Sequence, residues 1–218
     1  GPGRIQRWMT DGCWEGLPAL EDLQIANFGA ISISVPAAPA ALLTRLTRLA
    51  LWERGVEVSC SMPRLQELEV RAVTGVVDLS SAQLHLPQLS HLKLCASAAI
   101  VDFACAPKLA ELVVAGMKEL DVSGFSTLRP LAYLRLQGCC YGEPCVDNRL
   151  LQAAPASLAS LDLYYDMFSR HQGFPVPSFS HLTQLTALRT DMHIAISELS
   201  PLSQLQYLEL YKVFSDDI

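Results

Sequence analysis

One pattern, L-x-x-L-x-L, returns nine times, starting at Leu20, Leu46, Leu65, Leu89, Leu109, Leu131, Leu158, Leu185 and Leu205. Of its 27 apolar sites 23 are leucine; the others are Ile25, Val70, Val114 and a polar Thr190. Three residues ahead of most copies stands a further apolar residue or a proline, for example Met62, Leu86, Leu128, Pro155 and Leu182. Self-similarity at this period marks a solenoid, in which one coil cannot bury its own leucines and must stack on its neighbours. Steps between copies run from 19 to 27 residues. The shortest hold a strand, a turn and a return segment, but hardly a full helix with two loops. On a strand the last two leucines share one face, so the residues between and beside them point the other way.

A second, weaker pattern follows the leucine strand in the first five coils. The runs are Ile31-Ser-Ile33-Ser-Val35, Val56-Glu-Val58, Val76-Val77-Asp-Leu79, Ile100-Val101-Asp-Phe103 and Leu120-Asp-Val122. Period-two alternation of β-branched residues predicts back strands rather than helices, with Pro36, Pro39, Pro63, Pro87 and Pro107 at the turns. The sixth coil changes character. Asp147 can cap a short helix carrying Leu150 and Leu151, which Pro155 follows. The seventh carries a polar, proline-rich excursion over 169–177.

From Leu17 to Val213 the chain resembles the leucine-rich-repeat family. That resemblance implies a β-rich solenoid of the α/β class with nine coils, a parallel sheet on the leucine-strand face and a non-catalytic role in protein binding. The family host many unrelated binding roles, so no partner is named by it. The family normally places Asn or Cys three residues past the last leucine. Here those sites read Phe28, Arg54, Val73, Ser97, Met117, Cys139, Asp166, His193 and Val213, which implies an irregular, apolar-lined variant. The sixth coil, with Cys139 in that slot, resembles the cysteine-containing repeat of F-box proteins and implies, as an alternative, the substrate-receptor part of a ubiquitin ligase. Another alternative is a structural spacer or assembly piece of a larger complex.

Residues 1–16 read as a protease-cleavage remnant, Gly1-Pro2-Gly3, followed by a capping segment in which Trp8 and Trp14 cover the first coil or dock onto an upstream domain. The solenoid is expected over 17–213, with 214–218 a cut end of a longer protein. Sixteen basic and 22 acidic residues give −6 without a basic run, which argues against nucleic-acid binding. No stretch approaches the ~20 apolar residues of a membrane span. Seven cysteines, an odd number, and no N-x-S/T site point to the cytoplasm or nucleus.

Chemistry-bearing motifs are few. Cys139, Cys140 and Cys145 lack the second short pair a tetrahedral zinc site uses, and read as thiols of an apolar coil. The five histidines form no metal-ligating motif; His91 falls at an outward strand site. Phosphate-binding glycine loops and a nucleophile elbow are absent. The chain is therefore read as a non-enzyme without cofactor or metal, binding a protein partner. The outward residues of the leucine strands supply the candidate site. Five of six tyrosines fall there, Tyr133, Tyr164, Tyr165, Tyr207 and Tyr211, with Arg135 and Arg189 among them and Trp52 as an outlying anchor. Tyrosine and arginine desolvate large area yet keep polar handles, as interface hot spots do, although tyrosine also suits exposed strands by itself.

Overall fold

The computed structural model describes residues 19–26, 33–35, 44–53, 56–58, 61–72, 76–138, 146–164, 178–191, 194 and 196–211. Trp8, Trp14, Cys139, Cys140, Cys145, Tyr165, the excursion 169–177 and the end 214–218 lie outside them.

Each leucine pattern makes a strand: β1 (Asp22–Ala26), β3 (Arg48–Glu53), β5 (Glu67–Ala72), β7 (His91–Cys95), β9 (Glu111–Ala115), β11 (Tyr133–Gln137), β12 (Ser160–Tyr164), β13 (Ala187–Thr190) and β14 (Tyr207–Leu210). They pair in that order as one nine-stranded parallel sheet. The register places second leucine beside second leucine from Leu23–Leu49 to Leu188–Leu208. The expected back strands are present as β2 (Ile33–Val35), β4 (Val56–Val58), β6 (Val76–Leu79), β8 (Ala98–Asp102) and β10 (Glu119–Ser123). They form a second, five-stranded parallel sheet. The protein is a β-solenoid of leucine-rich-repeat type, flattened and two-sided where both sheets run.

The core is the column of pooled leucines. Leu46, Leu51, Leu65, Leu109, Leu112, Leu131, Leu134, Leu158, Leu161, Leu185 and Leu188 are all at 0% exposure. Each contributes about 1.5–3 kcal/mol by leaving water. Val77, Leu79, Ala99 and Val101 meet them from the back sheet. The β-branched residues there do not all point inward: Val76 and Ile100 lie on the outer surface, because alternation within the back strands sends them to the opposite face from Val77 and Val101. Leu208 and Leu210 of the last copy are the exception to this burial. Both are 42% exposed, since β14 has a paired neighbour on one side only among the described residues.

In seven copies the residue three ahead closes a turn. The N–H of Leu65, Leu89, Leu109, Leu131, Leu158, Leu185 and Leu205 donates to the carbonyl of Met62, Leu86, Ala106, Leu128, Pro155, Leu182 and Leu202, at 3.0–3.2 Å. Several coils repeat the device once more upstream. Ala106, Leu128 and Leu182 donate to Phe103, Phe125 and Phe179, all three phenylalanines buried. Phe103 and Phe125 open 3₁₀ turns and lie with ring centroids 5.3 Å apart. Gly124 sits between them at φ +71°, and a Cβ there would come within 3.1 Å of the Ala104 nitrogen. A side chain would therefore be strained twice, by conformation and by contact. In the slot where the family places Asn, Met117 is fully buried, in keeping with an apolar-lined variant.

Where the back sheet stops, the helix Val146–Ala153 takes over. It carries the buried Leu150 and Leu151. The capping role expected of Asp147 rests on side chains outside the described residues. A four-residue helix, Ile196–Leu199, precedes the last copy and was not expected.

Candidate functional site

Parallel pairing in constant register sorts the outward residues into columns. Between the leucines the column reads Gln24, Ala50, Glu69, Lys93, Val113, Arg135, Asp162, Arg189 and Glu209. At ~4.8 Å per strand, neighbours in a column are within side-chain reach. Two networks result, one in each half of the sheet.

The C-terminal network centres on Asp162. Tyr133 donates its hydroxyl to Asp162 Oδ2 at 2.7 Å, and Arg189 Nη1 donates to Oδ1 at 3.1 Å. Arg189 Nε lies 3.4 Å from Glu209 Oε2, which accepts the Tyr207 hydroxyl at 2.7 Å. The Arg189 guanidinium stacks over the Tyr207 ring at 5.0 Å, and that of Arg135 over Tyr164 at 4.8 Å. Tyr164 tilts against Tyr211, centroids 5.6 Å apart. Six of the eight residues singled out from the sequence are thus brought together: Tyr133, Arg135, Tyr164, Arg189, Tyr207 and Tyr211. Tyr165 lies outside the described residues.

Sequence reasoning treated Asp162 as one outward residue among nine. It is instead 4% exposed, covered by the side chains that bond to it. A buried carboxylate is tolerable only when its oxygens are bonded and a cation is adjacent, and Asp162 has both. The network leaves its mark on acidities. Burial, then the Asp162 carboxylate, pushes the Tyr133 hydroxyl up to about 12, with Arg135 opposing. Asp162, then Tyr207, raises the Arg189 guanidinium further. Glu209, then Tyr164, raises the Tyr211 hydroxyl, while the tyrosine hydroxyls beside Glu209 hold that carboxyl below its ordinary value.

The N-terminal network is more exposed and borders a groove of about 280 Å³ lined by residues from Asp22 to Val113. Arg48 bridges Asp22 at 3.3 Å and Glu67 at 2.7 Å. Glu69 accepts Arg71 at 2.6 Å and Lys93 at 3.2 Å. Burial alone would raise the Glu69 carboxyl, but the Arg71 and Lys93 bonds outweigh it and hold it low. Trp52 lies here, under the Arg71 guanidinium at 4.9 Å. It is four strand spacings from β11, roughly 19 Å at ~4.8 Å each, so it does not join the tyrosine cluster.

His91 Nδ1 meets the Ser90 hydroxyl at 2.8 Å, and its Nε2 lies 3.5 Å from Glu111. Ser90 Oγ also donates to the Gln66 carbonyl. Among the described residues, no three His, Cys, Asp or Glu side chains group as a metal site, and no helix is long and apolar enough to cross a membrane.

No family profile matches the sequence, and no curated protein matches it. Among solved structures the chain is similar to an internalin from Listeria monocytogenes, at 17% identity and a TM-score of 0.42, covering 91% of this chain and 63% of the internalin chain. This chain therefore spans less than two thirds of that protein's length. At that level of likeness, the description as a leucine-rich-repeat solenoid rests on the register and burial of the chain's own strands.

Proposed function

We propose that the protein is a non-catalytic protein-interaction module. Its site is the face formed by Tyr133, Arg135, Tyr164, Arg189, Tyr207 and Tyr211, in the cytoplasm or nucleus. The observation that carries this reading is the Asp162 network. Tyrosine and arginine side chains that would otherwise lose rotamer freedom on association are already held by one buried carboxylate and by ring stacking, so ordering them costs a partner little. The rigid parallel sheet beneath supplies the same advantage for the backbone. The unpaired thiols of Cys95 and Cys105 accord with a reducing compartment.

Two further readings each have one observation in their favour. The short helix of the sixth coil, with Leu150 and Leu151 buried, favours a substrate-receptor role of the F-box type. The exposure of Leu208 and Leu210 favours an assembly piece whose last strand is covered by a neighbour.

The test is a quantitative pull-down from native extract with the parent chain and a Tyr164→Ala/Tyr207→Ala/Tyr211→Ala variant, its fold verified by circular dichroism. A protein held by the parent and lost by the variant is the expected result. An identical retained set, or none from either, removes the face as the binding site.

A further inference from the structure

From Glu69 onward the column between the leucines alternates in charge, interrupted at Val113. Glu69 pairs with Lys93, and Asp162 and Glu209 both pair with Arg189. Arg135 stands in the same column between Val113 and Asp162, and among the described residues no carboxylate lies within ion-pairing distance of it. Its neighbour Asp162 has both oxygens engaged, one by Tyr133 and one by Arg189. Arg135 donates an Nη2 bond to Gln137 Oε1 at 3.1 Å and also faces the Tyr133 hydroxyl. Its Nε–H is shut off from water without an acceptor.

A guanidinium partly stripped of water and short of acceptors favours an incoming anion. The Arg135 guanidinium lies over the Tyr164 ring at 4.8 Å, which restricts its freedom, and Nη donors beyond the one bonded to Gln137 remain for a ligand. That is the arrangement that suits a carboxylate. The surroundings define the rest of the ligand. On one side, Val113 and Ala115 of β9 form an uncharged shelf in register with Arg135 and Gln137. On the other, Tyr164 and Tyr211 form an aromatic wall.

We infer that Arg135 is a carboxylate-recognition point, so that the partner docks an acidic segment whose Asp or Glu pairs with Arg135 while an adjacent apolar or aromatic side chain lies against Tyr164 and Tyr211. This inference rests on the proposed role of the tyrosine face in protein binding. The chain's net charge of −6 opposes long-range attraction of an acidic partner. Recognition is therefore a short-range match at a cation that has no carboxylate partner among the described residues.

The experiment uses the whole chain and two immobilised pools of random peptides, identical except for a fixed central Glu or a fixed central Lys. Retention of the Glu pool about tenfold above the Lys pool is expected, the size of one charge-assisted contact. Arg135→Gln abolishes the preference, Arg135→Lys keeps part of it, and Arg48→Gln, at the other end of the sheet, leaves it intact. Thermal unfolding confirms that each variant folds. Equal retention of both pools by the parent, or a Glu preference that survives Arg135→Gln, overturns the carboxylate site while leaving peptide binding by the face in place. Retention of neither pool overturns both.

Discussion

The two halves of the leucine sheet share one interior and differ in their exteriors. Leu68 and Leu92 on one side, Leu161 and Leu188 on the other, are buried to within 3% of complete, because every coil must present the same shape to its neighbours. Outward, β1 to β9 carry solvent-exposed ion pairs around a shallow groove, such as Arg48 with Asp22 and Glu67, where the side chains are 45–55% exposed. From β11 to β14 the exterior is built from aromatic rings, two stacked guanidinium groups and a carboxylate taken almost wholly out of water. Packing dictates the inner columns and leaves the outer ones free, so an outer column that gathers costly arrangements has a reason other than folding. A buried ion pair is weak evidence for stability. Its value here is that it holds the face in one arrangement.

Substitutions can test how separate the interior and the two exteriors are. The largest effect belongs to the shared interior. Leu112→Ala and Leu161→Ala each lower unfolding free energy by about 2–5 kcal/mol in urea titrations, irrespective of half; a cost confined to one half would mean the core is not continuous. Next comes the contrast between exteriors. Asp162→Ala leaves the Tyr133 hydroxyl without its acceptor and removes one of the two carboxylates of Arg189, and costs about 1.5–3 kcal/mol, whereas Glu67→Ala removes an exposed pair worth under about 1 kcal/mol. Equal losses would erase the distinction. Gly124→Ala, at the boundary where the back sheet gives way, costs about 1–2 kcal/mol from its positive φ and the close Ala104 nitrogen.

The smallest effects are in pH dependence. In the C-terminal half Tyr133 has a folded-state value raised from 10.0 to about 12. Its protonated form is the one the fold favours, so its contribution is complete below pH 10.0 and lost as pH rises through about 12. Phenolate absorbance should show late-titrating tyrosines, Tyr133 and Tyr211, of which Asp162→Asn moves Tyr133 down. In the N-terminal half Glu69 is held below 4.5. Its contribution is present above that pH and lost as pH falls through the lowered value. Glu69→Gln therefore flattens the acid limb of the stability curve and leaves the alkaline limb unchanged.

How much of this was legible in the sequence follows from the range of the interactions. The leucine strands and the five back strands depend on period-two patterns within six residues, and both sheets were readable for that reason. The double turn feeding several strands was not anticipated, although Phe103, Phe125 and Phe179 each stand three residues ahead of Ala106, Leu128 and Leu182 and so carried a readable signal. Asp162 was beyond reach. Its burial depends on Tyr133, 29 residues earlier, and Arg189, 27 residues later, and a single Asp between leucines looks like any other surface residue. The exposure of Leu208 and Leu210 was hidden for a similar reason: a repeat pattern describes each coil as if it had two neighbours. Clustering of Tyr133, Arg135, Tyr164, Arg189, Tyr207 and Tyr211 was readable because it needs only the register; which hydroxyl meets which carboxylate was not.

The most direct measurement of the central claim is amide hydrogen exchange on the chain alone and bound to the protein it captures. The account predicts added protection along β11 to β14, centred on Arg135 and Tyr164, with β1 to β7 unchanged. Protection concentrated on the groove around Arg48, Trp52 and Glu69, with β11 to β14 unaltered, would contradict it.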